Sequence, residues 1–180
     1  RCGHPRFNIS NTAIRATSTD GTGYGISVQG RGYDDKNSIT GGTVYGSTYG
    51  IVTNTNVTIG TNDDTVSTTT PDITGGSYGV QSPNIYFYDG IIHANTNAFQ
   101  NEANIKAKPD GTIIKKESSA DYNENCWLIE DENYLSVNNV EYNSLTKAYN
   151  AAASGDTIYV IKDAVKDTAL PENPSGKTIS

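Results

Sequence analysis

The sequence predicts an all-β fold laid down as a solenoid, a stack of coils built from short strands. Three observations carry this expectation. The first is composition. Of 180 residues, 34% are hydrophobic and 18% charged, and the mean hydropathy is -0.54. The polarity comes from 22 Thr and 19 Asn, accompanied by 12 Tyr and 18 Gly. Thr and Tyr suit strands, while Asn and Gly suit turns. So many tyrosines and so little charge are not the composition of a disordered chain. The second is a repeated phrase. "ITGGTVYGSTYGI" at 39–51 returns, shortened, as "ITGGSYGV" at 73–80. The third is its period. Tyr24-Gly25-Ile26, Tyr49-Gly50-Ile51 and Tyr78-Gly79-Val80 lie 25 and 29 residues apart. A period of about 20 to 50 residues made of short strands marks a solenoid.

Each element follows from this frame. "NVTIG" at 56–60, "DTVST" at 64–68 and "IYFYDGII" at 85–92 are strand-length, alternating and closed by turn residues. The phrase recurs because each coil must set an inward Ile or Val over the one beneath it. The paired glycines are expected to turn corners at positive φ. The spacing varies because a corner loop can lengthen without disturbing the stacked strands. A β-sandwich with coincidental Gly-Gly turns is the competing arrangement, and it calls for steadier alternation and fewer glycine pairs.

Beyond residue 90 the composition changes. Residues 1–90 hold 15 of the 18 Gly and 16 of the 22 Thr, whereas 101–133 carry more Lys, Glu and Asp and the single Trp. "CWLIE" (126–130), "YLSV" (134–137) and "VEY" (140–142) read as strands of a small meander. A helix is expected over 144–154. Ser144 is its N-cap, Leu145, Ala148, Tyr149 and Ala152 form one apolar face, and Gly155 is its stop. "TIYVI" at 157–161 has a buried-strand pattern, and "TAL" (168–170) and "KTI" (177–179) fit the next faces of a first coil. A short amphipathic helix there would cover the open end of a coil stack.

These residues carry a resemblance. "VNNVEYNSLTKAYNAAASGDTIYVIKD", 137–163, is similar to the opening of right-handed parallel β-helix modules in bacterial surface proteins. Tyr142, Ser144, Leu145, Ala148, Gly155, Asp156, Thr157 and Ile158 match that pattern. The Gly/Thr-rich repeats resemble coils of large repetitive secreted proteins of Gram-positive bacteria, within the pectin-lyase-like superfold. The resemblance implies a right-handed parallel β-helix and an extracellular or cell-surface location. The expected organisation is β-helix coils over 1–117, a connector with a strand over 118–133, and the start of a second, truncated module over 134–180. With no Met at position 1 and an end, "SGKTIS", that looks cut in mid-strand, the chain reads as part of a longer protein whose signal and anchor lie elsewhere.

Charge narrows the partners. A net charge of -7 and a pI near 4.7 argue against nucleic acid and against anionic lipid. No run approaches the ~18 apolar residues of a membrane span. Two cysteines, Cys2 and Cys126, make no disulfide scaffold and read as incidental thiols, although a single bridge between them remains open. An enzyme on this superfold places carboxylates on one face of neighbouring coils. The candidates are Asp34, Asp35, Asp64 and Asp89, with Arg31 as a possible base. Adjacent aspartates in a strand point to opposite faces, so neither "DD" is itself a catalytic pair, and turn residues are the plainer reading. Asp63 and Asp64 could hold surface Ca²⁺, without the repeat of calcium-binding β-rolls. The two histidines, His4 and His93, sit in no Cys/His cluster that would bind zinc, and His93 reads as a solvated strand residue. Tyrosines are the most promising ligand contacts: Tyr86 and Tyr88, which share a face, and Tyr49 and Tyr78. Cross-coil stacking is their structural alternative. The expected function is a non-catalytic cell-surface or secreted repeat protein, an adhesin, stalk or glycan-contacting module, without a cofactor. Glycans or host and cell-envelope proteins are its expected partners. A polysaccharide lyase or glycoside hydrolase, and a purely structural spacer, are the alternatives.

Overall fold

A computed structural model describes residues 6–30, 36–63, 65–163 and 178. Among them the structure is all-β apart from one short α-helix and one 3-10 turn. The strands are β1 (Asn8–Ile9), β2 (Ala13–Ala16), β3 (Tyr24–Val28), β4 (Lys36–Ile39), β5 (Thr43–Gly46) and β6 (Tyr49–Thr53). Then come β7 (Asn56–Ile59), β8 (Asp72–Gly75), β9 (Tyr78–Gln81), β10 (Ile85–Phe87), β11 (Ile91–Ala94) and β12 (Asn97–Phe99). They are followed by β13 (Ile105–Ala107), β14 (Thr112–Glu117), β15 (Glu124–Glu130), β16 (Leu135–Val137), β17 (Val140–Tyr142), α1 (Leu145–Ala151) and β18 (Tyr159–Val160). The chain divides into two compact units: Arg1–Pro109 with Ile114–Ile129, and Asp110–Ile113 with Glu130–Ser180.

In the first unit every third strand pairs, always in parallel. The first sheet runs β1-β4-β7-β10-β13, the third β3-β6-β9-β12, and the second contains β2-β5-β8-β11. The register sets like over like. Ile9, Ile39, Ile59 and Phe87 align in the first sheet. Ile14, Val44, Ile73 and Ile92 align in the second, and Ile26, Ile51, Val80 and Phe99 in the third. Most of these side chains are fully buried in one apolar core. Burying each contributes about 1.5–3 kcal/mol. The repeated phrase thus sets an apolar column, as the period implies. Asn37 is one of the polar residues inside, and it is fully buried. It donates to Thr55 Oγ1 at 2.7 Å and to the Asn56 carbonyl at 3.0 Å, and accepts from Phe7 N at 3.2 Å, so its burial is compensated.

The paired glycines serve the purpose their sequence suggests at one position and a different one elsewhere. Of Gly41, Gly42, Gly75 and Gly76, only Gly42 has positive φ, +83°. A Cβ on Gly75 would strike the Tyr78 carbonyl, and one on Gly76 the Ser47 carbonyl. Close approach of backbone, more than turn chirality, excludes a side chain at these two positions.

The second sheet ends differently from the others. β15 pairs antiparallel with β11, setting Cys126 over Ile92, and β14 lies outside it. The strand over 126–130 therefore joins the sheet of the first unit, whereas a meander with 134–142 was expected. Its buried Cys126 and Leu128 explain the choice, because they extend the apolar column. Burial pushes the Cys126 thiol up to about 12, and the thiol is free. Cys2 lies outside the described residues.

In the second unit β16 sits between β17 and β18, antiparallel to both. Asn138 and Asn139, at φ +51° and +65°, make the two-residue hairpin turn that requires left-handed backbone. Ser144 caps α1, its Oγ accepting from Lys147 N at 3.0 Å. Ala148 and Ala152 bury with Tyr134, Leu135 and Val137. The helix stops at Ala151, short of the expected 154. Ala152 is extended, and Asp156 Oδ2 takes the Ala153 N–H at 2.8 Å, so the turn toward Gly155 begins early. β18 is an edge strand whose side chains are exposed, contrary to the buried pattern of 157–161. Residues 168–170, with 177 and 179, fall outside the described residues. No helix among the described residues is long and apolar enough to cross a membrane.

Candidate functional site

Grooves on the first unit are lined by described residues of neighbouring parallel strands. The first lies on the outer face of the first sheet. Tyr86 and Tyr88 alternate with buried Phe87 and point outward, as their spacing predicts. Tyr86 stands in register with Thr58, and the two tyrosines with Asn56 and Thr58 line a groove of about 290 Å³. Asn84 Nδ2 donates to Asn56 Oδ1 at 2.6 Å, which fixes the Asn56 amide and leaves its NH₂ group for other partners. Neither ring stacks on another aromatic among the described residues.

Tyr49 and Tyr78 belong to a different row. Tyr24, Tyr49 and Tyr78 are in register on the third sheet. Tyr49 and Tyr78 stack with centroids 5.3 Å apart, and Tyr24 meets Tyr49 edge-on at 5.7 Å. The Tyr49 and Tyr78 ring faces are thus turned partly on each other. Burial raises the Tyr49 phenol above its ordinary value, and neighbouring Tyr78 and Tyr24 add to this.

Beside this row, at the C-terminal ends of the third sheet's strands, lies the second groove, of about 420 Å³. Gln29, Asn54, Gln81 and Gln100 line it, with Val52 and Pro83 as apolar patches. Asn54 is committed to Gly30, donating to its carbonyl and accepting from its N–H. Ser82 and Asn104 complete the wall, Asn104 Nδ2 donating to the Ser82 carbonyl at 2.7 Å. Gln100 Nε2 reaches Tyr49 Oη at 3.4 Å. Sequence reasoning missed this groove. Its signal was present: "SVQG", "GVQS" and "AFQN" each close a strand with an apolar residue followed by Gln.

The carboxylates are placed as follows. Asp89 is buried, and both its oxygens accept backbone N–H groups, Oδ2 from Thr61 at 2.8 Å and Oδ1 from Ser67 at 2.6 Å. Asp63 is exposed. Its Oδ1 accepts from Thr65 N at 2.9 Å and Thr65 Oγ1 at 2.8 Å, bonds that hold its carboxyl below the usual range. Arg31, Asp34, Asp35 and Asp64 lie outside the described residues. Among the described residues no three His, Cys, Asp or Glu side chains converge on a metal position.

His93 is not the solvated residue its sequence suggested. Its Nδ1 bonds Asn125 Oδ1 at 2.5 Å, its ring stacks on Tyr122 at 4.9 Å, and its Nε2 lies 3.6 Å from Asp72. Asn125 Nδ2 donates to the Glu117 carbonyl, so its Oδ1 is left to accept and the His93 proton belongs on Nδ1. Burial raises the Asp72 carboxyl, against the opposing pull of His93 and Thr74. The partners come from two segments distant from His93 in the chain, brought to it by the register of β8, β11 and β15.

No protein-family model, curated protein or solved structure matches the chain.

Proposed function

We propose that this chain is a non-catalytic repeat protein, secreted or displayed on a bacterial cell surface, that contacts glycans through an aromatic and amide-rich flank. Its architecture in this reading is a right-handed parallel β-helix, with each three-strand passage forming one coil. In-register pairing of every third strand supports that. The observation that carries the functional reading is the Tyr86–Tyr88 groove, with two outward rings and the Asn56 and Thr58 polar groups beside them. Aromatic faces take the C–H face of a sugar ring while neighbouring amides and hydroxyls bond its hydroxyl groups. The net charge of -7 sets the surface against nucleic acid and anionic lipid.

A glycan array probed with the 180-residue chain tests this, with reducing-end and unsaturated-product assays on the same samples. Binding without turnover is expected, and replacing Tyr86 and Tyr88 together by Ala should weaken it by about tenfold or more, ~1.4 kcal/mol. Turnover would replace this reading by a lyase or hydrolase. Absence of both would leave a spacer.

A further inference from the structure

The groove at the ends of the third sheet's strands is built by the same position in successive passages of the chain. β3, β6, β9 and β12 end at Val28, Thr53, Gln81 and Phe99, and the lining residues Gln29, Asn54, Gln81 and Gln100 stand at or just after those ends. Val52 pairs with Gln81, and Val80 with Phe99, which brings Gln100 alongside Gln81. A feature repeated across parallel strands recurs at the strand spacing, ~4.8 Å, so four ends span roughly 14 Å. The volume falls within the ~300–1,000 Å³ of ligand sites. The groove is repetitive, and a repetitive ligand fits it best.

Its chemistry is specific in what it includes and omits. No lining residue is charged. Asn54, Ser82 and Asn104 spend hydrogen bonds on the protein and stiffen the walls. The carboxamides of Gln29 and Gln81 have no partner among the described residues, and Gln100 keeps its Oε1. Each amide presents a carbonyl acceptor beside an NH₂ donor, the pair that adjacent sugar hydroxyls require. Val52 and Pro83 supply apolar patches for ring C–H groups. A polyanion would enter a chain of net charge -7 with no cation in the groove to meet it.

We infer that this groove binds a neutral linear polysaccharide lying across the strand ends. This rests on the glycan-contacting reading above and goes further, assigning a second site on another sheet and excluding polyuronates as its ligand.

The test measures binding of neutral glucans, mannans, xylans and N-acetylhexosamine polymers, with polyuronates alongside, to three proteins. These are the parent chain, Gln29→Ala with Gln81→Ala, and Tyr86→Ala with Tyr88→Ala, all checked for unchanged unfolding midpoints. The expected result is binding of at least one neutral polymer, weakened about tenfold or more in the glutamine variant and retained in part in the tyrosine variant. Neutral-polymer binding that is untouched in the glutamine variant overturns the groove assignment but leaves the glycan reading standing. Preference for a polyuronate overturns the neutral class alone. Binding of no glycan at all overturns both.

Discussion

Asp89 organises the loop around it from a buried position. Its two oxygens hold the Thr61 and Ser67 backbone N–H groups, so the carboxylate is spent on structure. Replacing it by Ala leaves two donors without their acceptor. We expect Asp89→Ala to cost about 2–4 kcal/mol in urea unfolding, with faster amide exchange at Thr61 and Ser67. A variant as stable as the parent would mean that water replaces both bonds. At this scale the sequence is legible where one residue decides alone. Ser144 announces its cap, and Tyr86 and Tyr88 announce a shared face. It is illegible where a neighbour in space decides. His93 takes its environment from Asp72, Tyr122 and Asn125, none within 20 residues of it in the chain. The glycine pairs look like turn residues, yet Gly75 and Gly76 are set by carbonyls pressed against them.

At the scale of elements, the row Tyr24–Tyr49–Tyr78 ties three parallel strands together on their outer face. Tyr49 touches both neighbours, whereas Tyr24 touches only Tyr49 within the row. Aromatic pairs contribute about 0.5–1.5 kcal/mol beyond area burial. Tyr49→Ala should therefore destabilise by about 1 kcal/mol more than Tyr24→Ala, read as a larger fall in urea midpoint at unchanged slope. Equal losses would show that ring contact adds nothing to burial. The strands of this row were legible because Tyr-Gly-Ile/Val repeats. The partner of β15 is not legible, because its alternation is the same whether it pairs with β11 or with β16. Only the apolar column waiting at Ile92 selects the partner. The glutamine row is not legible either, because each Gln looks like an ordinary surface residue until the strand ends align.

For the whole molecule, pH acts through groups of opposite sign. Asp20 accepts from the Ser18 hydroxyl, the Thr22 hydroxyl and the Thr22 N–H, which lowers its carboxyl to about 2. A lowered carboxyl stabilises the fold above its unfolded value, 3.8, and that contribution disappears as pH falls through about 2. Asp72 is raised, chiefly by burial, so the folded state holds its proton longer than the unfolded chain does. Its contribution is present below 3.8 and is lost as pH rises through the folded value. Unfolding followed across the acid range should show Asp20→Asn flattening the low-pH loss and Asp72→Asn flattening the loss on the rising side. Identical profiles for both variants and the parent would contradict these assignments. Beyond the reversed β15, β14 presents Lys115, Lys116 and Glu117, with Lys116 tied to Glu102 and Glu124. A parallel stack of apolar columns is an amyloid template wherever its last strand is bare. Here that strand is mixed in charge and its predecessor runs backwards, so fibril growth by another copy's strands is disfavoured at this rim.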